Sequence, residues 1–480
     1  MAEPRLGLQD SFTEQGLWWL AGHEADQVGG TLTYDPVDGA VLKLLGIFGD
    51  LVTAFNRSLV GADGDDYLSI HGVTTKGKPI SLLRALNKSR QLNMPGIANE
   101  IWTSNMLVVG IHMTSVQDEA IFPKSYFRFE SIERWLEHEP FSDSYDHDAR
   151  SLTVIAKKPR EIFFADHAEF KVSSVGSLYA NNKPETRFAI DVFSQMAITP
   201  DEPRSLDWHM SRAVRLQELA SLCTGHYLPL LSFELRGPDE LSGGGETRPI
   251  EAHVYARMVH TEAASRPRHE RPVIAGPELA RFSPKAVQLW FDQYEIFSPA
   301  INLFFTISGQ RQMFTNIRML LAIQAIEVFH RRTSSATVMP TKEFEVFVKG
   351  LVEAIPTDAC GPMRDRLKAL YTYCNEPSLG QRLKAIIADL TDAFQEAPAG
   401  FDKAFMRKLV DTRNYYTHFS TELRDKTLDG EGMYWASRRI ILLLTLMFLQ
   451  RLGVAANDIA PLLKRHQEFA TLWSNAGYPR

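Results

Sequence analysis

Cysteine is scarce in this chain of 480 residues, which contains only Cys223, Cys360 and Cys374. None has a second cysteine at the spacing of a zinc-ligand or redox-active pair. An odd, scattered set excludes a disulfide framework and is typical of free, buried thiols in a reducing compartment.

Long hydrophobic runs are also missing. The longest apolar segment, Ile440–Leu449, is bracketed by arginines and is about half of the ~20 residues that a bilayer span requires. It therefore predicts a buried bundle helix and no membrane span. The segment Met1–Gly7 lacks the apolar stretch of a signal peptide, so we expect a cytoplasmic protein.

The chain has no excess of positive charge: 52 Lys and Arg against 58 Asp and Glu give a net charge of -6. This argues against a protein that coats nucleic acid non-specifically. Residues 291–480 contain 23 basic and 20 acidic side chains, whereas residues 1–290 contain 29 and 38. The C-terminal part is therefore the better candidate for contact with phosphate.

Familiar cofactor and metal motifs are absent: the sequence has no P-loop, no Gly-x-Ser-x-Gly elbow and no Gly-x-Gly-x-x-Gly after a strand. The segment Asp143–Asp148 lacks the spacing of a calcium loop, so we interpret it as a solvated acidic turn. His23, His71, His112 and Glu100 cannot be grouped from sequence. We predict no metal and no cofactor.

Up to about residue 200, short apolar stretches near period two alternate with Asp-Pro, Asp-Gly and Gly-Asp turn signals. This texture predicts a β-rich, sandwich-like domain. The stretches that carry the prediction are Gly30–Tyr34, Ala40–Leu44, Met106–Ile111 and Ser151–Ile155. Short helices are expected at Ser81–Leu86 and Ile132–Leu136.

Helical spacing begins at Ser205–Leu222, and two loop-like segments come after it, Ser242–Glu246 and Arg266–Pro272. We interpret the second as a solvated linker, with contact to an RNA backbone as the alternative. Beyond Ser283 the pattern is helical throughout. The predicted helices are 286–306, 316–332, 341–354, 361–375, 379–394, 402–418 and 431–452.

These patterns predict an α+β protein: a β-rich N-terminal domain over 1–235, a linker over 236–285, and an all-α bundle over 286–480.

The predicted helix over 402–418 carries an apolar stripe that indicates packing into the bundle. Its members are Phe405, Leu409, Tyr416 and Phe419, with Thr412 filling the gap. Arg413 flanks the stripe, and a guanidinium beside a core needs a partner or a purpose because its desolvation is costly.

The spacing Arg-x4-His is weak by itself, since it recurs at Arg204–His209 and at Arg248–His253. At Arg413–His418 it ends an amphipathic helix and includes Asn414. Here the segment 411–419, Asp-Thr-Arg-Asn-Tyr-Tyr-Thr-His-Phe, resembles the Arg-Asn-x-x-x-His signature of HEPN ribonucleases, in particular ApeA-type abortive-infection proteins.

Two further segments resemble the same branch. Gln324–Arg331, which contains Glu327 and His330, resembles its early helix with an acidic residue and a histidine. Gly16–Leu20, followed by Gly29–Leu32, resembles the start of the β-rich domain found with it.

The resemblance implies metal-independent RNA cleavage by attack of the 2′-hydroxyl, often in a tRNA anticodon loop, as a self-limiting defence against phage. An imidazole such as that of His418 can move protons at cellular pH, and a guanidinium such as that of Arg413 can hold phosphoryl oxygens. Asn414 would orient either group, and Tyr415 or Tyr416 would stack on an unpaired base.

Glu327 and His330 are further candidates for contact with substrate. The β-rich domain is expected to act as a sensor or regulator with a phage-derived trigger.

Geometry constrains this hypothesis, because positions five apart on a straight helix point ~140° away from each other. Either His418 lies where the helix frays, or the same segment of a second chain completes the site. HEPN proteins are known for the second arrangement, so we predict an isologous homodimer or a higher homo-oligomer.

Other interpretations stay open. Arg413 and His418 can be structural, and Glu327 and His330 can be ordinary helix-pair residues. The bundle can be a catalytically silent HEPN module for dimerisation or nucleotide binding, joined to a β-rich ligand- or partner-binding domain. A carbohydrate-binding β domain is suggested only by the adjacent Trp18 and Trp19.

Overall fold

The computed structural model describes the chain except residues 1–6, 50–67, 92, 94, 118–120, 184–186, 242–246, 259–270, 311, 357–359 and 475–480. The chain forms two compact units, Met1–Gln288 and Leu289–Arg480. The first is β-rich and the second is helical, as the sequence predicts. The loop Ser242–Glu246 and most of the loop Arg266–Pro272 lie outside the described residues.

Six strands of the N-terminal unit close into a barrel in the order β5-β4-β1-β2-β3-β6, with β6 pairing back to β5. They are β1 (Phe12–Leu20), β2 (Val28–Asp35), β3 (Gly39–Leu44), β4 (Leu68–Thr74), β5 (Pro79–Gln91) and β6 (Asn99–Ser104). The ring of Trp18 fills the space above Gly72, where an added Cβ would lie 2.1 Å from it. This part of the predicted β-rich domain is thus a closed barrel.

The other strands continue this sheet from β5 in the order β7-β15-β14-β8-β13-β12-β11, while β9 and β10 form a separate hairpin. Their bounds are β7 (Met106–Val109), β8 (Lys124–Phe129), β9 (Phe141–Asp146), β10 (Ser151–Ala156), β11 (Ile162–His167), β12 (Phe170–Lys183), β13 (Arg187–Pro200), β14 (Leu230–Leu241) and β15 (Thr247–Ala256).

The helix predicted at Ser81–Leu86 is wrong, because this segment lies within β5. Leu82 and Leu83 are both buried there, since β5 belongs to the closed barrel and also to its extension, so both faces of the strand are partly covered. A strand buried on both faces loses the period-two pattern.

The other two helices predicted for this region are confirmed, as α1 (Ile132–Trp135) and α2 (Leu206–Thr224). The Ser205 hydroxyl caps α2 by accepting a hydrogen bond from the Trp208 amide, and Gly225 ends the helix in the left-handed region at φ 77°.

The region predicted as a linker, 236–285, differs from the structure. Its first part belongs to β14 and β15, and α3 (Gly276–Phe282) comes after them within the N-terminal unit. Strand β14 continues through Gly237 and Pro238, which fall at a register shift between Arg236 and Asp239. A bulge accommodates such residues without ending the strand.

The helical unit consists of α4 (Ala286–Asp292), α5 (Tyr294–Gly309), α6 (Thr315–Thr333), α7 (Thr341–Glu353), α8 (Gly361–Tyr373), α9 (Leu379–Phe394), α10 (Lys403–His418), α11 (Gly430–Arg451), α12 (Ala456–Arg465) and α13 (Gln467–Ser474). These helices reproduce the predicted positions, except that 286–306 is broken at Gln293 and that α12 and α13 were not predicted. Thr421–Lys426 forms a 3-10 turn.

The core of the helical unit is built around Phe448 of α11. Its ring lies edge-on to those of Trp290, Phe297, Phe304 and Phe329 at centroid distances of 4.7–6.4 Å. Among the described residues, α11 is the one helix long and apolar enough to cross a membrane, and 72% of its most apolar window is buried inside the protein.

Candidate RNA-cleavage site

The signature segment lies on α10, which the Asp402 carboxylate caps by accepting a hydrogen bond from the Phe405 amide. Leu409 and Thr412 are the buried positions of this helix. The Thr412 hydroxyl donates to the Lys408 carbonyl at 2.6 Å and accepts from the Leu428 amide at 2.9 Å. These two bonds tie the segment after the helix back to its last turns.

Arg413 projects from α10 with a side chain that is 36% exposed. Its Nη1 donates to the Asn414 side-chain oxygen at 3.1 Å, and its Nη2 lies 3.8 Å from Glu327 Oε2. The second distance is an ion pair without a hydrogen bond. The guanidinium is therefore oriented by Asn414 and keeps donors for another acceptor.

A cleft of about 490 Å³ opens beside Arg413, between one face of α6 and the end of α10. Its lining combines charged, amide, hydroxyl and apolar groups: Leu320, Gln324, Glu327, Val328, Arg331, Arg413 and Thr417. The positions on α6 have helical spacing. Arg331, Gln324 and Thr417 were not predicted as site residues, although the four-residue spacing of Glu327 and Arg331 is visible in the sequence.

His418 is the last residue of α10 and is exposed. Within the part of the chain that is described, its imidazole forms no hydrogen bond or ion pair. Because α10 continues through both Arg413 and His418, the two side chains diverge by ~140°. One helix therefore does not direct both groups at a single phosphate.

An aromatic cluster surrounds the end of α10. The rings of Tyr415, Tyr416 and Phe419 lie 5.1–6.2 Å apart in edge-to-face contacts. Phe419 is 66% exposed, and both tyrosines are partly exposed. The predicted apolar stripe is thus buried only up to Thr412. The aromatic rings of its last turn are exposed or partly exposed instead.

The Glu327 carboxylate lies between two arginines of the cleft, with its second oxygen 3.4 Å from Arg331 Nη2. The same Nη2 atom is 3.2 Å from Glu376, which in turn is 3.3 Å from Arg382. A chain of ion pairs therefore runs from Arg413 through Glu327 and Arg331 toward the interior.

His330 lies at the inner end of this network, 5% exposed, and lines a different cavity from that of Arg413. Its Nδ1 lies 3.3 Å from Arg382 Nη1. A guanidinium only donates, so Nδ1 accepts and the imidazole is neutral. Burial and the neighbouring Arg382 lower the pKa of His330, in agreement with that state. The structure gives His330 a place in the core rather than on a substrate surface.

The tryptophans of β1 do not form a sugar platform. Trp18 and Trp19 are 0% and 6% exposed, on opposite faces of the strand. Burial on both faces removes the observation that suggested carbohydrate binding.

Four residues could not be grouped from the sequence and lie at three separate places in the structure: His23, the pair His71 and His112, and Glu100. His71 and His112 stack at 4.8 Å, while Glu100 is buried with Arg90 and Trp102. His23 lines a cavity at the turn after β1. Within the described ranges, no three His, Cys, Asp or Glu side chains form a metal-binding group.

Two smaller predictions concern the acidic segment and the thiols. Of the segment predicted as an acidic turn, Asp143–Asp146 instead belongs to strand β9; the turn comes after it, where Asp146 accepts hydrogen bonds from the amides of Asp148 and Ala149. Cys223 is buried as expected, but Cys360 and Cys374 are exposed free thiols, since they lie at or next to the ends of α8 rather than inside it.

Comparison with known protein families finds one matching domain in each of the two units. Residues 13–270 match the model of ApeA N-terminal domain 1, and residues 320–458 match that of the Apea-like HEPN domain. No curated protein and no solved structure matches the chain. The second match spans α6 to α11, which hold the cleft and the Arg-Asn-x-x-x-His segment. HEPN domains of this kind are generally ribonucleases. The chain therefore belongs to the ApeA family of HEPN-domain proteins.

Proposed function

We propose that this protein is a metal-independent endoribonuclease of anti-phage abortive infection, with tRNA, cut in its anticodon loop, as the substrate. One observation carries the proposal: the partly exposed Arg413 guanidinium lines a cleft and belongs to the same helix that ends in the exposed His418. An imidazole can transfer protons and a guanidinium can stabilise negative charge, as phosphodiester transesterification requires.

The chemistry uses the nucleophile that RNA already carries. The His418 imidazole takes the proton of the 2′-hydroxyl, and the freed oxygen attacks phosphorus. The P–O5′ bond breaks as the 5′ oxygen takes a proton from water, which leaves a 2′,3′-cyclic phosphate and a 5′-hydroxyl, and the His418 imidazolium then returns its proton to the solvent. Arg413, oriented by Asn414, stabilises the charge on the phosphoryl oxygens.

The aromatic cluster at the end of α10 supplies the contact with bases. Tyr415 and Tyr416 expose ring surface next to His418, and unpaired RNA bases stack on such rings. Glu327 takes part in this contact indirectly, through its ion pairs with Arg331 and Arg413. His330 has no place in this contact because it is buried.

A second copy of the chain completes the site in this proposal. The divergence of Arg413 and His418 along α10 is resolved when two such helices face each other across a two-fold axis. Each cleft then combines the guanidinium of one protomer with the imidazole of the other. The β-rich unit restrains this activity until a phage-derived trigger arrives, and the enzyme works in the cytoplasm, where its substrate is.

The test compares wild type with Arg413→Ala and His418→Ala on total RNA in EDTA, followed by analysis of the product ends. With phage lysate added as the source of the trigger, we expect wild type alone to cut and to leave cyclic-phosphate ends. Arg407→Ala is the matched control, because Arg407 lies on the same helix, is 81% exposed and, among the described residues, pairs only with Asp411. Equal cutting by wild type and His418→Ala would remove His418 from the mechanism.

The alternative is a catalytically silent HEPN module joined to a β-rich partner-binding domain. Wild-type protein that forms dimers and leaves total RNA intact, with and without phage lysate as a source of trigger, would favour it.

A further inference from the structure

The cleft beside Arg413 contains a second arginine that the signature does not include. Arg331 lies two helical turns after Gln324 on the face of α6 that lines the cleft, and its side chain is 53% exposed. Both of its carboxylate contacts use the single atom Nη2. Within the described chain its Nε and Nη1 have no acceptor, so they keep donors for a ligand.

The carboxylate of Glu327 marks where an anion is held. Its two oxygens face different arginines, Oε1 at 3.4 Å from Arg331 and Oε2 at 3.8 Å from Arg413. A phosphodiester presents two non-bridging oxygens with one negative charge, which is the same pattern of acceptors. Both contacts are long, and partly exposed ion pairs of this kind stabilise a fold by only ~0–1 kcal/mol. Folding therefore depends little on these two ion pairs, and a phosphate can replace the Glu327 carboxylate between the arginines.

We propose that Arg331 and Arg413 form a two-arginine clamp for the RNA backbone, and that Glu327 occupies this clamp in the free protein. The inference rests on the proposed function and adds a phosphate contact to it. RNA binding moves the Glu327 carboxylate out and places backbone phosphate between the two guanidiniums. Arg413 then holds the scissile phosphate, while Arg331 contacts the backbone beside it.

The test measures binding of a single-stranded 2′-O-methyl RNA oligonucleotide, which cannot be cleaved, by fluorescence anisotropy at several salt concentrations. Loss of one phosphate contact lowers the slope of log K against log salt by about 0.7 for single strands. For Arg331→Ala we expect weaker binding, by roughly tenfold at low salt, and this smaller slope. For Glu327→Gln we expect tighter binding, because the competing charge is gone.

Arg407→Ala is the matched control: it removes one exposed arginine that, like Arg331, pairs with an acid four residues away. Equal affinity and salt slope for Arg331→Ala and Arg407→Ala would overturn the clamp. So would unchanged or weaker binding by Glu327→Gln, if its thermal unfolding matches wild type.

Cleavage of the unmodified oligonucleotide by wild type is measured in parallel, so that two failures can be told apart. Wild type that cuts RNA while Arg331→Ala behaves like the control overturns the inference alone. Wild type that neither binds nor cuts RNA, with and without phage lysate as a source of the trigger, overturns the proposed function and the clamp with it.

Discussion

His209 shows how burial sets the protonation state of a side chain in this protein. It is 0% exposed, its Nε2 donates to the Phe122 carbonyl and its Nδ1 accepts from the Ser125 hydroxyl, both at 2.9 Å. Both ring nitrogens are thus satisfied in the neutral form. Burial lowers the pKa of His209 to about 4.

This shift predicts a pH-dependent stability of the N-terminal unit. In the unfolded chain this histidine has a pKa near ~6.5, so below that pH it binds a proton that the folded state does not bind. The contribution of His209 to the free energy of unfolding is therefore fully present above about pH 6.5. It falls as the pH drops toward 4, by about 2 kcal/mol between pH 7 and 5. Urea unfolding should show this loss, with hydrogen exchange of α2 peptides identifying the unit.

The variant His209→Gln should be less stable at pH 7 and should lose less on acidification than wild type. His147→Gln, a change at an exposed histidine, should keep the wild-type pH dependence. An unaltered slope in His209→Gln would contradict the assignment.

Thr412 connects the signature helix to the segment that leads into α11. Thr412→Val keeps the shape but leaves the partly buried Leu428 amide without its acceptor. An unsatisfied buried donor costs about 1–3 kcal/mol, so we expect a lower melting temperature of the helical unit and faster exchange of the Leu428 amide. Thr412→Ser retains the hydroxyl and should keep that amide protected; equal exchange in both variants would argue against the bond.

At the scale of elements, the end of α10 is strained at Phe419. Its φ of 51° lies in the left-handed region, which costs a non-glycine residue about 1–2 kcal/mol. A large exposed ring at a strained backbone position indicates that the ring has a functional role.

Phe419→Gly should therefore separate stability from function. We expect the helical unit to become more stable by up to about 1 kcal/mol, since glycine ends helices in this conformation without strain. RNA cleavage should fall, because the aromatic cluster loses a third of its rings. Phe419→Asn serves as a control for the backbone effect. A variant that is less stable and fully active would count against both statements.

Elements were predictable where one face alone is buried and hard to predict elsewhere. The helices from α6 to α11 keep their apolar spacing, so their bounds were predicted to within a residue or two. In β5 the covering of both faces hid the strand, and β14 continues through a bulge at Gly237 into the region predicted as a linker. Neighbouring strands, which are distant in sequence, decide both cases.

At the scale of the whole molecule, the proposed composite site predicts complementation between inactive variants. Arg413→Ala and His418→Ala, co-expressed with different tags, should form mixed dimers in which one cleft combines an intact arginine with an intact histidine. The mixture should regain about a quarter of wild-type cleavage, since half of the dimers are mixed and each has one intact site.

The control pairs Arg413→Ala with the double variant Arg413→Ala/His418→Ala, which can assemble no intact site. A mixture of single variants that forms mixed dimers and stays as inactive as this control would show that each site is contained in one chain.

The two-part organisation, the helical bundle and the segment from Arg413 to His418 could all be read from the order of residues, because hydrophobic period and a short motif are local properties. The closure of the barrel, the burial of His330 and the presence of Arg331 beside Arg413 depend on tertiary packing. Arg331 and Arg413 are far apart in sequence and lie on different helices. Only the packing of α6 beside the end of α10 brings their charges to one cleft.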